Sequence, residues 1–253
     1  MLPDSALGDK VAIVTGASRG IGRAIAVAYA EAGADVALAG RSKPDLEATA
    51  QLVQRHRRRA LVIPTDVTVF AEVEALVERT VKELGRLDVL VNNAGVAKVA
   101  PLVEMSVADW RWMLDTNLTG VFNGCRAAAP HLIAQKRGKV INVASVFGAV
   151  GLPGYTIYSA TKGGVIALTR TLGVEWARHG IQVNALAPGW FATDMTHEAF
   201  ADARIRERLT RDIPLRRLGR PEEIGPLAVY MASAASDFMT GQTIFLDGGH
   251  SAA

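Results

Sequence analysis

Apolar residues fall into two alternating kinds of segment along this chain. Short, nearly unbroken runs rich in Val, Ile, Leu and Ala stand at 10–15, 35–40, 60–64, 87–91, 138–144, 181–186 and 242–246. Such runs, bounded by glycine or polar residues, fit strands of a parallel sheet that is buried on both faces. Between them apolar positions recur at helical spacing, as with Val73, Leu76, Val77 and Val81 inside 69–84. This predicts helices over 23–31, 44–57, 69–84, 107–135, about 157–179 and 221–233. Gly33 closes the first and Pro221 opens the last. The stretch 107–135 reads as one long helix, bent at Pro130. Strict alternation of strand and helix predicts an α/β fold: a doubly wound parallel sheet with helices on both faces. The segment 190–214 is mixed in pattern and rich in charge, and predicts a mobile lid over a substrate.

Composition narrows this without changing it. A chain of 253 residues, 49% of them apolar, suits one well-filled domain over 1–253. It has neither repeat nor linker. A net charge of +3 is not the field of a dedicated nucleic-acid binder. The run Arg55-His56-Arg57-Arg58-Arg59 is read as cations at a helix end facing solvent, with nucleic-acid binding the alternative. The single cysteine, Cys125, excludes an intrachain disulfide, fits a reducing compartment and reads as a small buried hydrophobe. The N-terminus lacks the pattern of a signal peptide, and no apolar run approaches the length of a membrane span. The expectation is a cytoplasmic protein.

Candidate chemistry collects at the ends of the apolar runs. After 10–15 comes Gly16-Ala17-Ser18-Arg19-Gly20-Ile21-Gly22, which leads into a helix. Strand, glycine turn and helix make a phosphate cradle, because bare amides and the positive end of a helix dipole face an anion. The second run ends in Gly40-Arg41-Ser42, where an acid would bind the ribose 2′-hydroxyl of NAD. Arginine suits a 2′-phosphate instead, with Arg19 adding charge, so NADP(H) is favoured over NAD(H). The alternative is an Arg41 that points into solvent. Asp66 and Val67 follow the third run, and Asn92-Asn93-Ala94-Gly95 the fourth, as ligand-presenting groups or as a simple Asn-rich turn. Asn117, in an apolar helix, either ties neighbouring turns or belongs to the site. The fifth run delivers Ser145, and the sixth ends in Pro188-Gly189. Tyr158 and Lys162 stand one turn apart on a helix. A nearby ammonium favours a phenolate, so Tyr158 is expected to titrate below the usual value near 10 and to exchange protons with a carbonyl or an alcohol. Tyr155 is excluded from that role because Ser159, not a lysine, lies four residues on. Alone, Y-x-x-x-K would also fit an ordinary surface helix.

With these residues in place, the chain resembles the short-chain dehydrogenase/reductase family from Gly8 to Gly249. Thr15-Gly16-x-x-x-Gly20-x-Gly22, Asn92-Asn93-Ala94-Gly95, Asn117, Ser145, Tyr158-x-x-x-Lys162 and Pro188-Gly189 occur in the family's order. The resemblance implies a seven-stranded Rossmann-type domain and NAD(P)-dependent exchange between CH–OH and C=O, without a metal. It implies Tyr158 as acid/base, Lys162 lowering its pKa and holding the nicotinamide ribose, Ser145 polarising the carbonyl, and Asn117 holding a relay water. It also implies cofactor contacts from Asp66, Val67, Asn93, Phe191 and Thr193. Homotetramers built on the two long helices are expected. The N-terminal half is most similar to 3-oxoacyl-(acyl-carrier-protein) reductases, whereas 214–249 also resembles sugar-acid dehydrogenases such as gluconate 5-dehydrogenase. Phe147, Leu152, Trp190, Phe191 and Met195 lean apolar, which ranks a ketone or 3-oxoacyl thioester ahead of a sugar acid. A non-catalytic dinucleotide sensor on the same fold is the reading from another class.

Overall fold

The computed structural model describes residues 5–193 and 203–253. The strands are β1 Val11–Thr15, β2 Asp35–Gly40, β3 Ala60–Pro64, β4 Val89–Asn92, β5 Gly138–Val143, β6 Ile181–Pro188 and β7 Thr243–Leu246. They form one parallel seven-stranded sheet in the order β3-β2-β1-β4-β5-β6-β7. The helices are α1 Gly20–Glu31, α2 Lys43–Gln54, α3 Phe70–Leu84, α4 Val107–Leu114, α5 Gly120–Gln135, α6 Thr156–Glu175, α7 Ala203–Arg211 and α8 Gly225–Ala232.

Strand periodicity explains the unbroken apolar runs. Val11 and Ile13 of β1 enter one core, while Ala12 and Val14 enter the other. Val36 and Leu38 of β2 likewise face away from Ala37 and Ala39. Successive side chains point to opposite faces, so a strand covered on both sides must be apolar at every position. One core packs residues of α1, α2 and α8 on the sheet, and the other packs α3, α5 and α6. This is the predicted class: a single Rossmann-type, doubly wound unit.

The chain runs outward from β1 to β2 and β3, then returns to β4 on the other side of β1. That reversal opens a crevice at the carboxyl ends of β1 and β4, where open α/β sheets take ligands.

Two expectations change. The helix expected over 107–135 is α4 and α5 joined by a π-turn at Asp115–Thr119, which holds Asn117. The i→i+5 bond widens the helix at that point, while Pro130 lies inside α5 without ending it. The basic run also differs, because Arg58 and Arg59 do not simply face solvent. Both pair with the buried Asp35 carboxylate, at 2.9 and 2.6 Å, and the Arg59 guanidinium donates to Leu84 O at 3.1 Å at the end of α3. Residues 194–202, the middle of the expected lid and Met195 with it, lie outside the described residues. Cys125 is free and buried, as expected. Among the described residues, no helix is long and apolar enough to cross a membrane.

Candidate active site

A cavity of about 570 Å³ opens at the carboxyl edge of the sheet, within the usual range for small-molecule sites. Its first wall is the glycine turn. Gly16 and Gly20 have φ of +64° and +53°, a region side chains rarely enter. A Cβ on Gly22 would stand 2.2 Å from Gly16 O and 2.4 Å from Asn93 Nδ2. Thr49 Oγ1 donates to Ala17 O at 2.9 Å, fixing the turn against α2. Helix α1 then starts with no side-chain cap and no acid in its first turn. Gly20, Ile21 and Gly22 therefore bring the positive end of the helix dipole to the cavity.

Arg19 and Arg41 also line this end, which suits an anion. Asp66 lines it too, and its carboxyl is held low chiefly by the Thr68 backbone N–H at 2.9 Å, with Arg41 assisting. Val67, Gly95, Pro188, Gly189, Phe191 and Thr193 complete the expected lining. Ser42 is not among the lining residues; it stands at the N-cap position of α2 without a side-chain capping bond. Ser18 and Ala94 line the cavity, as does Asn93, but the Asn93 amide is occupied. It donates to Thr15 O at 2.8 Å and Gly16 O at 3.2 Å, so Asn93 buttresses the turn.

The second wall carries Ser145, Tyr158 and Lys162. Strand β5 ends at Val143, and Ser145 follows two residues on. The loop after it presses against α6, since a Cβ on Gly148 would lie 2.9 Å from Lys162 O. That closeness brings Ser145 to Tyr158, on the first turns of α6. Lys162 is 3% exposed, donates to Val143 O at 2.7 Å and places its ammonium 5.7 Å from the Tyr158 ring centre. No carboxylate lies within ion-pair reach of it among the described residues. Asn117 is fully buried behind this group. Its Oδ1 accepts from Val96 N and its Nδ2 donates to Val96 O, each at 2.8 Å, and Nδ2 also reaches Thr161 Oγ1 at 3.2 Å. Gly95 lies between Asn117 and Lys162, its would-be Cβ 3.4 Å from Asn117 Oδ1 and 3.6 Å from Lys162 Nζ. Asn117 thus ties the loop after β4 to α6 and does not itself line the cavity.

The electrostatics correct one expectation. Tyr158 is not drawn down by its lysine. Burial pushes the phenol up to about 12, while the Ser145 hydroxyl acts the other way. Burial equally pulls Lys162 down to about 8. Desolvation disfavours either charged form, and the ammonium is engaged by a backbone carbonyl.

Some lining residues had no signal in the sequence. Thr65, Val96, Ala97, Val99 and Thr116 are ordinary loop or turn residues brought to the cavity only by the tertiary path. Phe147, Tyr155 and Trp190 form an aromatic cluster beside Tyr158.

Crevice, glycine turn and a Ser-Tyr-Lys group with buried Ser145 and Lys162 and a half-buried Tyr158 define a dinucleotide-dependent oxidoreductase class. The family model described as Enoyl-(Acyl carrier protein) reductase matches residues 16–251, and the chain belongs to the short-chain dehydrogenase/reductase family, whose members are oxidoreductases acting on CH–OH and C=O. It is 44% identical to 3-oxoacyl-[acyl-carrier-protein] reductase FabG of Staphylococcus aureus over 95% of this chain and 97% of that one. It is 41% identical to gluconate 5-dehydrogenase of Gluconobacter oxydans, over 94% and 93%. Among solved structures, a gluconate 5-dehydrogenase from Burkholderia cenocepacia, in complex with NADP and tartrate, superposes with a TM-score of 0.94 at 39% identity, covering 99% of this chain and 98% of that one.

Proposed function

We propose that the protein is an NADP(H)-dependent oxidoreductase that interconverts a ketone, either a 3-oxoacyl thioester or a related carbonyl, with a secondary alcohol. The observation carrying this reading is that Ser145, Tyr158 and Lys162 share one cavity with an uncapped glycine turn. The bound nicotinamide supplies or accepts the hydride. The chain's own residues do the rest. Gly16, Ser18, Gly20, Ile21 and Gly22 hold the pyrophosphate, Arg19 and Arg41 the 2′-phosphate, and Asp66 and Val67 the adenine side. Ala94, Gly95, Pro188, Gly189, Phe191 and Thr193 border the path towards the nicotinamide. Ser145 donates to the substrate oxygen. Tyr158, kept protonated at neutral pH by burial, gives its proton to that oxygen as charge builds on it, and takes it back in oxidation. Lys162 keeps a cation-capable amine behind the phenol, and Asn117 fixes the loop beside that amine.

The preference for NADP(H) is supported by two cations, Arg19 and Arg41, at this end of the cavity, where the acid nearby, Asp66, follows β3 and not β2. It accords with the NADP bound in the Burkholderia relative. The exposed rings of Trp110 and Trp112 on α4 and Phe122 on α5, with Val174 on α6, support the homotetramer. A free, buried cysteine suits a reducing cytoplasm. A sugar-acid substrate is the second reading, favoured by the gluconate 5-dehydrogenase similarity.

The test is a substrate panel followed by NADPH absorbance, covering acetoacetyl thioesters, simple ketones and keto sugar acids. The expected outcome is turnover of a thioester or ketone, faster with NADPH than with NADH. Arg41→Asp should weaken NADPH by about 10–100-fold, the worth of one charge-assisted hydrogen bond, while sparing NADH. A parent enzyme that prefers NADH contradicts the cofactor assignment, and turnover confined to sugar acids contradicts the substrate assignment.

A further inference from the structure

The substrate end of the cavity carries a feature that neither the glycine turn nor the acid/base group requires. Three rings from three places in the chain pack on one another. Phe147 comes from the loop after β5, Tyr155 immediately precedes α6, and Trp190 follows β6. Their ring centres are 5.0 Å apart for Phe147–Tyr155, 5.2 Å for Phe147–Trp190 and 6.0 Å for Tyr155–Trp190. All three line the cavity. The wall abuts the reacting group, for the Tyr155 ring meets the Tyr158 ring edge-on at 6.1 Å, and Phe147 N donates to Ser145 Oγ at 3.2 Å. Val146 and Ile213 join the rings in a small apolar core, and the His250 ring meets Phe147 edge-on at 5.9 Å.

Charge points the same way. Among the described lining residues of this half, Lys162 is the one charged side chain, and it is buried and bonded to Val143 O. Arg19 and Arg41 stand with the glycine turn and the end of β2. Among the described residues, a carboxylate bound beside Tyr158 would meet no cation but the buried, carbonyl-bonded Lys162, which makes leaving water unfavourable. A flat apolar group would instead gain both burial and edge-to-face contact with the rings.

We infer that the substrate is an uncharged ketone that bears a ring next to the carbonyl, and that Tyr155 is the specificity-determining residue that selects it. This rests on the carbonyl reductase reading above. Tyr155 bridges the wall to Tyr158 and is the most exposed of the three rings, so it can be truncated with the least damage to the core.

The experiment compares kcat/KM for three ketones of similar size: an aryl ketone, a straight-chain acetoacetyl thioester and a keto sugar acid. Parent enzyme, Tyr155→Ala and Tyr155→Phe are measured with NADPH. Binding of the aryl ketone is followed separately by quenching of tryptophan emission. The parent is expected to favour the aryl ketone over the thioester by about tenfold or more, the size of effect a shaped apolar pocket gives. Tyr155→Ala should shrink that ratio by about tenfold, and Tyr155→Phe should restore it. An unchanged ratio in Tyr155→Ala, or a parent that prefers the sugar acid, overturns the inference. If no ketone turns over but the aryl ketone still binds in a Tyr155-dependent way, the reaction fails and the substrate class stands. If it neither turns over nor binds, both fall.

Discussion

The two edges of the sheet handle charge in opposite ways. At the amino edge every buried carboxylate is answered. Asp88, just before β4, meets Lys10 at 3.7 Å, Arg86 at 2.7 Å and Arg137 at 3.3 Å, and accepts Val11 N at 3.0 Å. Asp35, at the start of β2, is clasped by Arg58 and Arg59 and held below the usual carboxylate range against the cost of its burial. Lys139, in β5, reaches Asp237 at 2.7 Å. At the carboxyl edge the balance is left open: α1 starts uncapped, Arg41 faces the cavity, and Lys162 is buried without a carboxylate. The amino edge resembles a clasp that joins β1, β2, β4 and β5 to their neighbours. The carboxyl edge keeps unmet polarity for a ligand. The same residue types therefore mean fold at one end and chemistry at the other.

This division can be broken at either end. Ser145→Ala removes the hydroxyl proposed to donate to the substrate oxygen and should lower kcat by about 10²–10³-fold, with melting temperature nearly unchanged; steady-state kinetics beside thermal unfolding checks both. Gly22→Ala forces a methyl into Gly16 O and the Asn93 amide. Overpacking of this kind costs about 1–3 kcal/mol, and the damage should appear as lost NADPH affinity in a fluorescence titration, along with a lower melting point. Asp88→Ala strands Val11 N and frees three cations. It should cost about 1–3 kcal/mol, read as a lower midpoint in urea, with turnover per folded molecule intact. If Asp88→Ala instead lowers turnover in protein that remains folded, the two edges are not separate.

The smallest effect sharpens the comparison through pH. Lys162 binds its proton more weakly in the folded chain, about 8 against an ordinary 10.5. Between those values the unfolded chain holds more protons, so this group's contribution to stability rises with pH. Tyr158 runs the other way, from an ordinary 10.0 to about 12, and its contribution falls as pH climbs above 10. Urea unfolding from pH 7.5 to 10 should show a gain in the parent that Lys162→Met lacks.

Much of this was legible in the sequence, and for physical reasons. A strand buried on both faces must be apolar throughout, so the seven runs could be seen without an alignment. A glycine turn between strand and helix, and a phenol one turn from an amine, are local patterns that survive without tertiary knowledge. What escaped depended on the fold. The phenol's acidity turned on burial and on the Ser145 hydroxyl, both set by how the loop after β5 packs against α6. The π-turn at Asn117 left no mark in the periodicity, because its flanking helices keep their own spacing. Arg58 and Arg59 looked solvated because Asp35, their partner, lies more than twenty residues upstream. Tyr155 was weighed only as a rival acid, and its place in an aromatic wall depends on Trp190 folding back from the far side of β6.

The central claim is that Tyr158 is the proton donor of the site at the carboxyl edge of the sheet. Tyr158→Phe, measured for NADPH consumption, NADPH binding and thermal unfolding in one preparation, addresses it directly. The account predicts turnover reduced by about 10²–10⁴-fold, with affinity for NADPH and melting temperature close to those of the parent. Turnover that survives the loss of the hydroxyl would contradict it.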